Sequence, residues 1–471
     1  MSTAEVRRRV KREFELQNVS LRVDALNLAA ECCVSKTPEQ IREYVKKIVD
    51  RLIVENVEDE IIDIAILKQC HARLARGKNS QNAKVFEVIN ATAWKKELLD
   101  PITKSYKEIK RQDVSAEQER FELIKKNVTT PNVLPLELLF SRSNTVVTVL
   151  AMLRRDTMSS YAIEDPTGFL KINLNGAIFE DGIFFEGGIY MFNGLYKNNM
   201  LEVKTVSLPA LRPEPMIRRR RSDLWDESEM IAVFSEVWLD SPVVLKKINS
   251  VLSGFADFPP YAFVFCGNFL SPKSTTDPMP AMDKGFRHLN NIIDQYQEQY
   301  ANTQFVFVPS SQDLPTSKVF PRAPVAHGDH FRGMSNVHFA SNPCKLQCRD
   351  VSIIIFREDN IFKACTNAIR VAGDKAEIPN QFVKTVRSQK HYSPLPLYVT
   401  PVVPKFDYLF ELSPEPDVLI LADDYQQYII DGDSNSRPLV FNPGSFATSE
   451  KFEFITYNCK RNKADSCEIP E

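Results

Sequence analysis

Glycine and histidine are scarce in this chain, which contains 15 glycines and 6 histidines among its 471 residues. Neither a glycine-rich phosphate loop nor a Gly-x-Ser-x-Gly turn is present, and so few glycines leave little room for one. No internal repeat stands out either. These absences argue against a nucleotide-binding loop, a serine-hydrolase site and a repeat architecture.

The chain also lacks net charge and long apolar runs. Its 59 Lys and Arg residues nearly balance its 61 Asp and Glu residues, so no overall positive field attracts nucleic acid or an anionic membrane. The longest apolar stretches, such as residues 146–153, are far shorter than the roughly 20 residues that span a bilayer. The first 15 residues show no signal-peptide core, and nine scattered cysteines are typical of reduced thiols. We therefore expect an intracellular protein without a membrane segment.

The first part of the chain has a helical period. Thr37, Pro38 and Gln40 offer an N-cap, a first-turn proline and a capping-box glutamine ahead of apolar residues at helical spacing. Three flanking segments, around Val6, Ala25 and Ile61, are predicted as companion helices. We expect an N-terminal helical domain at residues 1–75, followed at 76–130 by a linker with a helical segment.

The period changes from helical to alternating after about residue 131. Five predicted strands, at residues 145–153, 161–163, 169–174, 183–192 and 201–206, favour an OB-type barrel at 131–208. The barrel carries five basic and seven acidic residues, which is a poor charge balance for single-stranded DNA. We expect its aromatics to be core residues and its surface to bind protein rather than DNA. The aromatics are Phe184, Phe185, Tyr190, Phe192 and Tyr196.

Residues 209–229 are rich in proline and charge and are predicted to be a linker. They contain Arg218–Arg221, which is either a nuclear-localisation patch or a solvated basic run. From residue 230 to 471 apolar strands alternate with helices, which predicts an α/β domain with a large, partly antiparallel sheet system. Predicted helices lie at 242–252 and 282–300. Predicted strands lie at 231–234, 262–266, 305–308, 351–356, 397–403, 418–421, 439–441 and 452–457.

Reactive residues of an α/β sheet lie just past the carboxyl ends of its strands. The motifs there resemble, in their order, those of the calcineurin-like metallophosphoesterases, but the residues that would hold two metal ions are mostly replaced. Glu236 and Trp238 stand for the Asp and His of the first motif, and Asn268 stands for the metal-bridging Asp. Ser311 and Gln312 replace the Asn-His pair, and Asp423 and Tyr425 replace the last two histidines.

These replacements remove the donors that a binuclear centre needs. Trp offers only an N–H donor, and neutral Asn and Gln supply no negative charge, so we expect no metal, no cofactor and no catalytic residue. The alternative is a residually active, metal-dependent phosphodiesterase or nuclease that uses the remaining acids Glu236, Asp313, Asp423 and Asp424 to hold one Mg²⁺. Four further residues have partial metal-site spacing but are expected to be loop histidines and ordinary thiols. They are His327, His330, Cys344 and Cys348.

Five further motifs narrow the resemblance. In order along the chain they are residues 161–168 (YAIEDPTG), 356–359 (FRED), 378–384 (IPNQFVK), 391–396 (HYSPLP) and 442–446 (NPGSF). Together they resemble the B subunits of eukaryotic replicative DNA polymerases, with order and spacing most similar to the epsilon type. This resemblance extends over essentially the whole chain. It implies a multidomain α+β protein with a small all-α N-terminal module, an OB-type β-barrel and an inactive calcineurin-like phosphoesterase α/β sandwich at 230–471.

The resemblance also implies a function and partners. The expected function is a non-catalytic accessory subunit in chromosomal DNA replication, located in the nucleus. Its expected partners are the C-terminal zinc-binding domain of the catalytic subunit of DNA polymerase epsilon and, through the N-terminal helical domain, the GINS part of the CMG helicase. Contact with DNA is expected only indirectly or weakly.

Overall fold

A computed structural model shows the chain as two compact units, Met1–Val85 and Phe86–Glu471, and each is described by itself below. The residues that the structure describes are 3–17, 19–31, 33, 38, 41–42, 44–46, 48–49, 61–62, 86–95, 97–99, 106–108, 115–212, 225–226, 229–272, 277–314, 318–374, 377–431 and 438–469. No helix in these ranges is both long enough and apolar enough to cross a bilayer.

The N-terminal unit contains two of the predicted helices, α1 (Thr3–Glu15) and α2 (Val23–Glu31). Helix α1 buries Val6, Val10 and Phe14, whose spacing of four residues places them on one helical face. Helix α2 buries its own apolar face, and the two faces belong to one core. Four more residues at helical spacing belong to this core, namely Ile41, Val45, Ile48 and Val49.

One expectation for this unit was wrong. Ile61 does not lie in a helix, because β2 (Ile61–Ile62) pairs in parallel with β1 (Ser20–Leu21), so the unit is not purely α-helical. A β-branched isoleucine pair suits a strand as well as a helix, and two residues carry too little periodicity to decide between them. Several residues used in the predictions lie outside the described residues. They are the cap residues Thr37 and Gln40, the apolar residues Ile64 and Ala65, and the basic run Arg218–Arg221.

The predicted barrel is confirmed as a closed barrel of five main strands. Its long strand β11 (Ile189–Lys197) pairs with β6 (Thr145–Arg155) on one side and with β12 (Met200–Ser207) on the other, which closes the sheet on itself. Closure leaves the barrel without an open edge. Its strands are β6 (Thr145–Arg155), β7 (Tyr161–Asp165), β8 (Gly168–Asn173), β9 (Ile178–Phe179), β11 (Ile189–Lys197) and β12 (Met200–Ser207).

A glycine permits the close approach that closes the barrel. At Gly194 the register of β11 against β12 shifts, and a Cβ atom there would lie 2.2 Å from the carbonyl oxygen of Glu202. Any side chain would therefore force the two strands apart. The expectation for the aromatics is confirmed for Phe184, Tyr190 and Phe192, which are fully buried in the barrel core.

The single strand expected at residues 183–192 was wrong, because the chain turns at Gly187, which has a φ of +81°. The first half of this segment, β10 (Gly182–Phe185), leaves the barrel and pairs with β19 (Ala368–Ala372) of the following domain. Phe185 accordingly packs into the core of that domain rather than into the barrel. An alternating apolar pattern does not reveal a tight glycine turn when both flanking pieces are buried.

The C-terminal part of the chain is a sandwich of two six-stranded sheets with helices on both outer faces, which confirms the predicted α/β layering. The first sheet runs in the order β16 (Val337–Phe339), β15 (Gln304–Val308), β14 (Ala262–Cys266), β13 (Met230–Phe234), β23 (Phe454–Asn458) and β24 (Lys463–Cys467). The second runs in the order β21 (Tyr428–Ile430), β22 (Leu439–Asn442), β20 (Val418–Ala422), β18 (Val351–Arg357), β17 (Cys344–Cys348) and β3 (Phe86–Asn90).

Parallel pairs form the centre of each sheet. Antiparallel strands extend the second sheet at both edges and the first sheet at one edge, because the other edge pair of the first sheet, β15 with β16, is parallel. Strand β3 shows that an apolar patch ahead of the barrel is part of the sandwich, where it pairs with β17. Cys266 is fully buried between the sheets, as expected of a small core residue. The outer helices are α4 (Pro242–Phe255) and α5 (Pro278–Asp294) on the first sheet, and α6 (Asn360–Thr366) and α7 (Ile378–Ser388) on the second.

The strand expected at residues 397–403 was wrong. This segment forms turns that lead into a 3₁₀ helix at Pro404–Phe410, and only Val402 makes an isolated bridge, to Phe320. The prolines at 396, 401 and 404 explain the difference, because each lacks the N–H that a strand interior must donate.

Helix α3 (Ala116–Asn127) packs the barrel against the sandwich. It begins at Ser115, whose hydroxyl accepts a hydrogen bond from Gln118 N at 3.2 Å. Phe121 and Ile124 pack on the outer face of the barrel, and Arg120 reaches into the sandwich. The remaining described strands are β4 (Glu97–Leu99) and β5 (Tyr106–Glu108), which pair with each other.

Candidate functional site at the strand ends

Five parallel strands of the sandwich end at one edge, and the polar residues that follow them form one buried cluster. Glu236 follows β13, Asn268 follows β14, and Asp313 follows β15. Arg357 ends β18 and Asp423 follows β20. Because parallel strands present their carboxyl ends together, residues far apart in sequence meet here. We call this cluster the strand-end centre.

Arg357 lies in the middle of the strand-end centre and is 1% exposed. Its guanidinium donates hydrogen bonds to the carboxylate of Glu236, to Asp359 Oδ1 at 2.6 Å and to the backbone oxygen of Gly267. A longer contact of 3.4 Å reaches the backbone oxygen of Ala422. The side chain therefore bonds to groups from four different strand ends.

The charges around Arg357 hold it in its cationic form. Burial by itself lowers the pKa of the Arg357 guanidinium, but the carboxylates of Glu236 and Asp359 reverse this effect and raise the pKa above its usual value. The same contact keeps Asp359 ionised. Burial by itself would raise the pKa of the Asp359 carboxyl, but the charge and hydrogen bond of Arg357 lower it below its usual value. The centre thus contains a permanent positive charge from the protein itself.

Glu236 and Trp238 form a bonded pair at the first motif. Glu236 has a φ of +56°, and its Oε1 faces Arg357 and, at 3.5 Å, the backbone N–H of Asn268. Its Oε2 accepts a hydrogen bond of 2.9 Å from the indole Nε1 of Trp238. Both carboxylate oxygens of Glu236 therefore already accept hydrogen bonds. One of the donors is Trp238, the residue at the position where a histidine ligand is expected.

Asp313 and Asn268 are also occupied with bonds inside the protein. Asp313 accepts backbone N–H bonds from Phe269 and Ser310, each of 2.8 Å. Burial outweighs these bonds and raises the pKa of the Asp313 carboxyl. The amide oxygen of Asn268 accepts a bond from the Ser310 hydroxyl. A Cβ at Gly267 would lie 1.9 Å from Asp313 Oδ2, so glycine is what allows the carboxylate to fit there.

The third motif is held by a second buried arginine. Arg322 donates to the backbone oxygen of Ser311 at 2.8 Å and to that of Asp313. The hydroxyl of Ser311 lies 3.3 Å from Glu358 Oε1. Gln312 joins the centre only through its backbone N–H, which donates to the Ser310 hydroxyl at 3.0 Å. The predicted Ser311 and Gln312 positions therefore present little that could ligate a metal.

The acids of the last motif differ from the others because burial keeps one of them protonated. Asp423 is 1% exposed, and this burial raises its pKa to about 8, although a hydrogen bond of 2.8 Å from Ile361 N opposes the shift. Burial likewise raises the pKa of Asp424. The side chain of Tyr425 packs at the margin of the outer core instead of entering the centre.

The residues of the strand-end centre do not fit a binuclear metal site. Two adjacent divalent cations require several ionised carboxylates and imidazoles with free lone pairs. Here both carboxylate oxygens of Glu236 already accept hydrogen bonds, Asp423 is neutral at pH 7, and no histidine lies among the residues of the four motifs. Arg357 would also repel a cation at the same place.

Sequence reasoning missed the residue that organises this centre. The FRED motif at 356–359 is one of the motifs that carry the family resemblance, but the sequence does not predict Arg357, Arg322 or Glu358 as site residues. The available signal was an arginine and two acids at the end of a strongly apolar strand, where unpaired charges are rarely buried.

Comparisons with known proteins agree with this architecture. A family model that describes the B subunits of DNA polymerases alpha and epsilon matches residues 231–430. A second model, described as "DNA polymerase epsilon subunit 2-like, OB-fold domain", matches residues 86–210. The second match begins at β3, the edge strand of the sandwich, and continues through the barrel. Together the two matches cover more than half of the chain.

Relatives from animals and plants match as well. DNA polymerase epsilon subunit 2 of Mus musculus is 26% identical over 99% of this chain and 99% of its own length. Probable DNA polymerase epsilon subunit 2 of Caenorhabditis elegans is 29% identical over 99% of this chain and 95% of its own. The B subunit of DNA polymerase epsilon from Arabidopsis thaliana is 29% identical over 51% and 47%. With its closed OB barrel and two-sheet sandwich, this chain belongs to the family of DNA polymerase epsilon B subunits.

Proposed function

We propose that this accessory subunit is non-catalytic, and that its sandwich is a phosphoesterase domain whose metal centre has been replaced by Arg357. One observation supports this most directly: a buried guanidinium bonds to the residues that close four strand ends, where the related enzymes would hold two metal ions. A fixed cation neutralises the remaining acids but activates no water, because it has no open coordination position.

The alternative function, a residually active phosphodiesterase, depends on Glu236, Asp313, Asp423 and Asp424. Three of these four acids are tied to internal donors, and the pKa of Asp423 and that of Asp424 are raised by burial. A carboxyl that is neutral at pH 7 is a poor ligand for Mg²⁺. The geometry therefore favours the non-catalytic function.

An activity assay decides between these functions. The full chain, incubated with Mn²⁺ or Mg²⁺ and either a phosphodiester substrate or a 3′-recessed DNA, should show no turnover above that of the Asp313→Asn variant. Because the change is spread over four motifs, the single reversions Trp238→His and Asn268→Asp should also be inactive. Metal-dependent turnover that disappears in Asp313→Asn would establish the alternative.

The proposed role of the chain is to hold other subunits. The barrel and the sandwich are joined through β10 and β19, which contribute residues to both cores, so the two domains offer one continuous surface. We assign this surface to the C-terminal zinc-binding domain of the catalytic subunit, the N-terminal unit to the GINS part of the CMG helicase, and the location to the nucleus. The barrel's acidic balance supports a protein partner over single-stranded DNA.

Co-purification tests this division of roles. The full chain should co-purify with the C-terminal domain of the catalytic subunit, and a variant that lacks residues 1–75 should retain this complex but lose the helicase. The structure supports such a deletion, because Met1–Val85 and Phe86–Glu471 form separate compact units. Loss of the polymerase complex in the deletion variant would contradict the proposed roles.

A further inference from the structure

A second polar cluster lies on the outer side of the first sheet and belongs to none of the strand-end motifs. Asp283 projects from helix α5, His327 immediately precedes the short 3₁₀ helix Gly328–Phe331, and His330 lies within it. One ligand atom from each of the three residues lies within 4.8 Å of the other two. The sequence shows only the two histidines, and the fold adds the carboxylate.

The three side chains converge on a single oxygen atom. His330 Nε2 lies 2.6 Å from Asp283 Oδ1, and His327 Nδ1 lies 3.8 Å from the same oxygen. Two ligands of a tetrahedral zinc ion lie about 3.3 Å apart when each bond is about 2.0 to 2.1 Å long. The observed separations bracket that value, so small side-chain rotations suffice to admit an ion.

The surroundings hold the ligands in place. The His327 ring stacks on Phe286 of helix α5, with centroids 4.9 Å apart and an angle of 18° between the planes. Phe286 is itself part of the outer core, and His327 is 6% exposed. Arg287 Nη2 donates to Asp283 Oδ2 at 2.8 Å, which leaves Oδ1 directed at the histidines.

The ligand types of this cluster favour zinc over magnesium or calcium. Two imidazoles and one carboxylate are ligands that zinc prefers, whereas magnesium and calcium prefer oxygen donors alone. The Asp283 side chain is 41% exposed, so water can reach the fourth coordination position of the metal.

We propose that Asp283, His327 and His330 form a zinc site that fastens the 327–331 turn to helix α5. The site is independent of the strand-end centre and of the assembly role proposed above. The ordinary alternative is a hydrogen bond between Asp283 and His330 that binds no metal.

A cobalt titration distinguishes the two. The full chain, stripped with a chelator, should bind one equivalent of Co²⁺ with visible absorption typical of tetrahedral nitrogen and oxygen ligation, and Zn²⁺ should displace it. Asp283→Asn and His330→Gln should each weaken binding by more than about 100-fold, because losing a ligand costs more than losing a residue that only orients one. His288→Gln is the matched control, since His288 is an exposed histidine of the same helix.

Several results would overturn the proposal. The first is that the wild-type chain does not bind Co²⁺, and the second is that Asp283→Asn and His330→Gln bind it as tightly as the wild type does. The third is a thiolate charge-transfer band, which would place the metal on cysteines. Thermal melting separates folding from ligation. The metal-free variants should melt like the metal-free wild type, and added Zn²⁺ should raise the melting temperature of the wild type and of His288→Gln alone.

Discussion

Two buried arginines organise different parts of the C-terminal unit, and the partners of each differ. At the strand-end centre Arg357 bonds to two carboxylates and to backbone carbonyls within one domain. At the junction between barrel and sandwich, Arg120 of helix α3 lies 3.2 Å from both Asp407 and His391 of the sandwich. Among the described residues Asp407 is the only carboxylate that Arg120 contacts, and His391 beside it stays uncharged.

The comparison shows how a buried charge can serve the stability of a domain or the joining of two domains. His391 is fully buried, which lowers its pKa to about 4, and the nearby Arg120 adds to this effect. The neutral ring accepts a bond from Ser393 N at Nδ1, so its proton lies on Nε2, which faces Asp407 at 3.5 Å. At the junction, the ion pair of Arg120 and Asp407 has no net charge, and the neutral His391 is a further donor beside it. At the strand-end centre, several acids surround one cation, Arg357.

The strongest test of this comparison is removal of the cation at the centre. Arg357→Met should lower the free energy of unfolding by about 3 to 5 kcal/mol, because it leaves Glu236 buried and without its partner. Urea denaturation of the full chain measures this change. The double variant Glu236→Gln with Arg357→Met should recover part of the loss, because the unpaired charge is then absent.

Arg332→Met is the matched control for that experiment. The Arg332 side chain is 80% exposed and pairs with Asp329 on the surface, so its loss should change stability by less than about 0.5 kcal/mol. A cost below about 1 kcal/mol for Arg357→Met would mean that the centre tolerates an unpaired carboxylate, and the role assigned to Arg357 would be wrong.

The centre also shows what the sequence can predict. The strand Ala262–Cys266 and the start of helix α4 at Pro242 were predicted correctly, because a continuous apolar run and a first-turn proline are local signals. The strand ends then identified Glu236, Asn268 and Asp423 as neighbours. Glu236 and Asn268 follow adjacent parallel strands of the first sheet, as this rule implies, whereas Asp423 follows a strand of the second sheet and is brought to them by the packing of the two sheets.

The partners of the buried charges could not be predicted in this way. Glu236 and Arg357 are separated by 121 residues, and Arg120 and Asp407 by 287. Which acid meets which base depends on how loops end and on which carboxyl remains protonated, and local patterns do not encode this. Asp283 is a similar case, because it lies 47 residues before His330. The sequence around Asp283 shows the period of a helix but nothing that links this residue to the histidines.

Removing the junction arginine should have a smaller and more local effect. Arg120→Met leaves Asp407 buried without its cation, but His391 Nε2 still faces the carboxylate, so we expect a loss of about 2 to 3 kcal/mol. Hydrogen exchange should increase in helix α3, whereas the sandwich strands stay protected. Lys125→Met, an exposed change on the same helix, should alter neither. Equal exchange in both variants would show that the junction arginine does not hold the helix.

The smallest expected effect is a difference in pH dependence between the strand-end centre and the junction: the stability contributed by Asp423 and that contributed by His391 change with pH in opposite directions. The pKa of Asp423 is about 8 when folded and about 4 when unfolded, so the folded state binds the extra proton and the stability from this group falls as pH rises through that range. His391 acts in the opposite direction: its pKa is lowered to about 4, so its contribution is complete above about pH 6.5 and is lost as the solution becomes more acidic.

Asp423→Asn isolates the first of these effects, because asparagine retains the shape and an acceptor for Ile361 N but cannot ionise. Relative to the wild type, the variant should gain about 1.3 kcal/mol for each pH unit between pH 5 and pH 7, because keeping the wild-type carboxyl protonated costs more free energy as the pH rises. Urea midpoints at several pH values measure this difference. The exposed Asp294→Asn change should show no such trend. A difference that stays constant with pH would mean that Asp423 is ionised in the folded chain, and the strand-end centre would then hold more negative charge than Arg357 can balance.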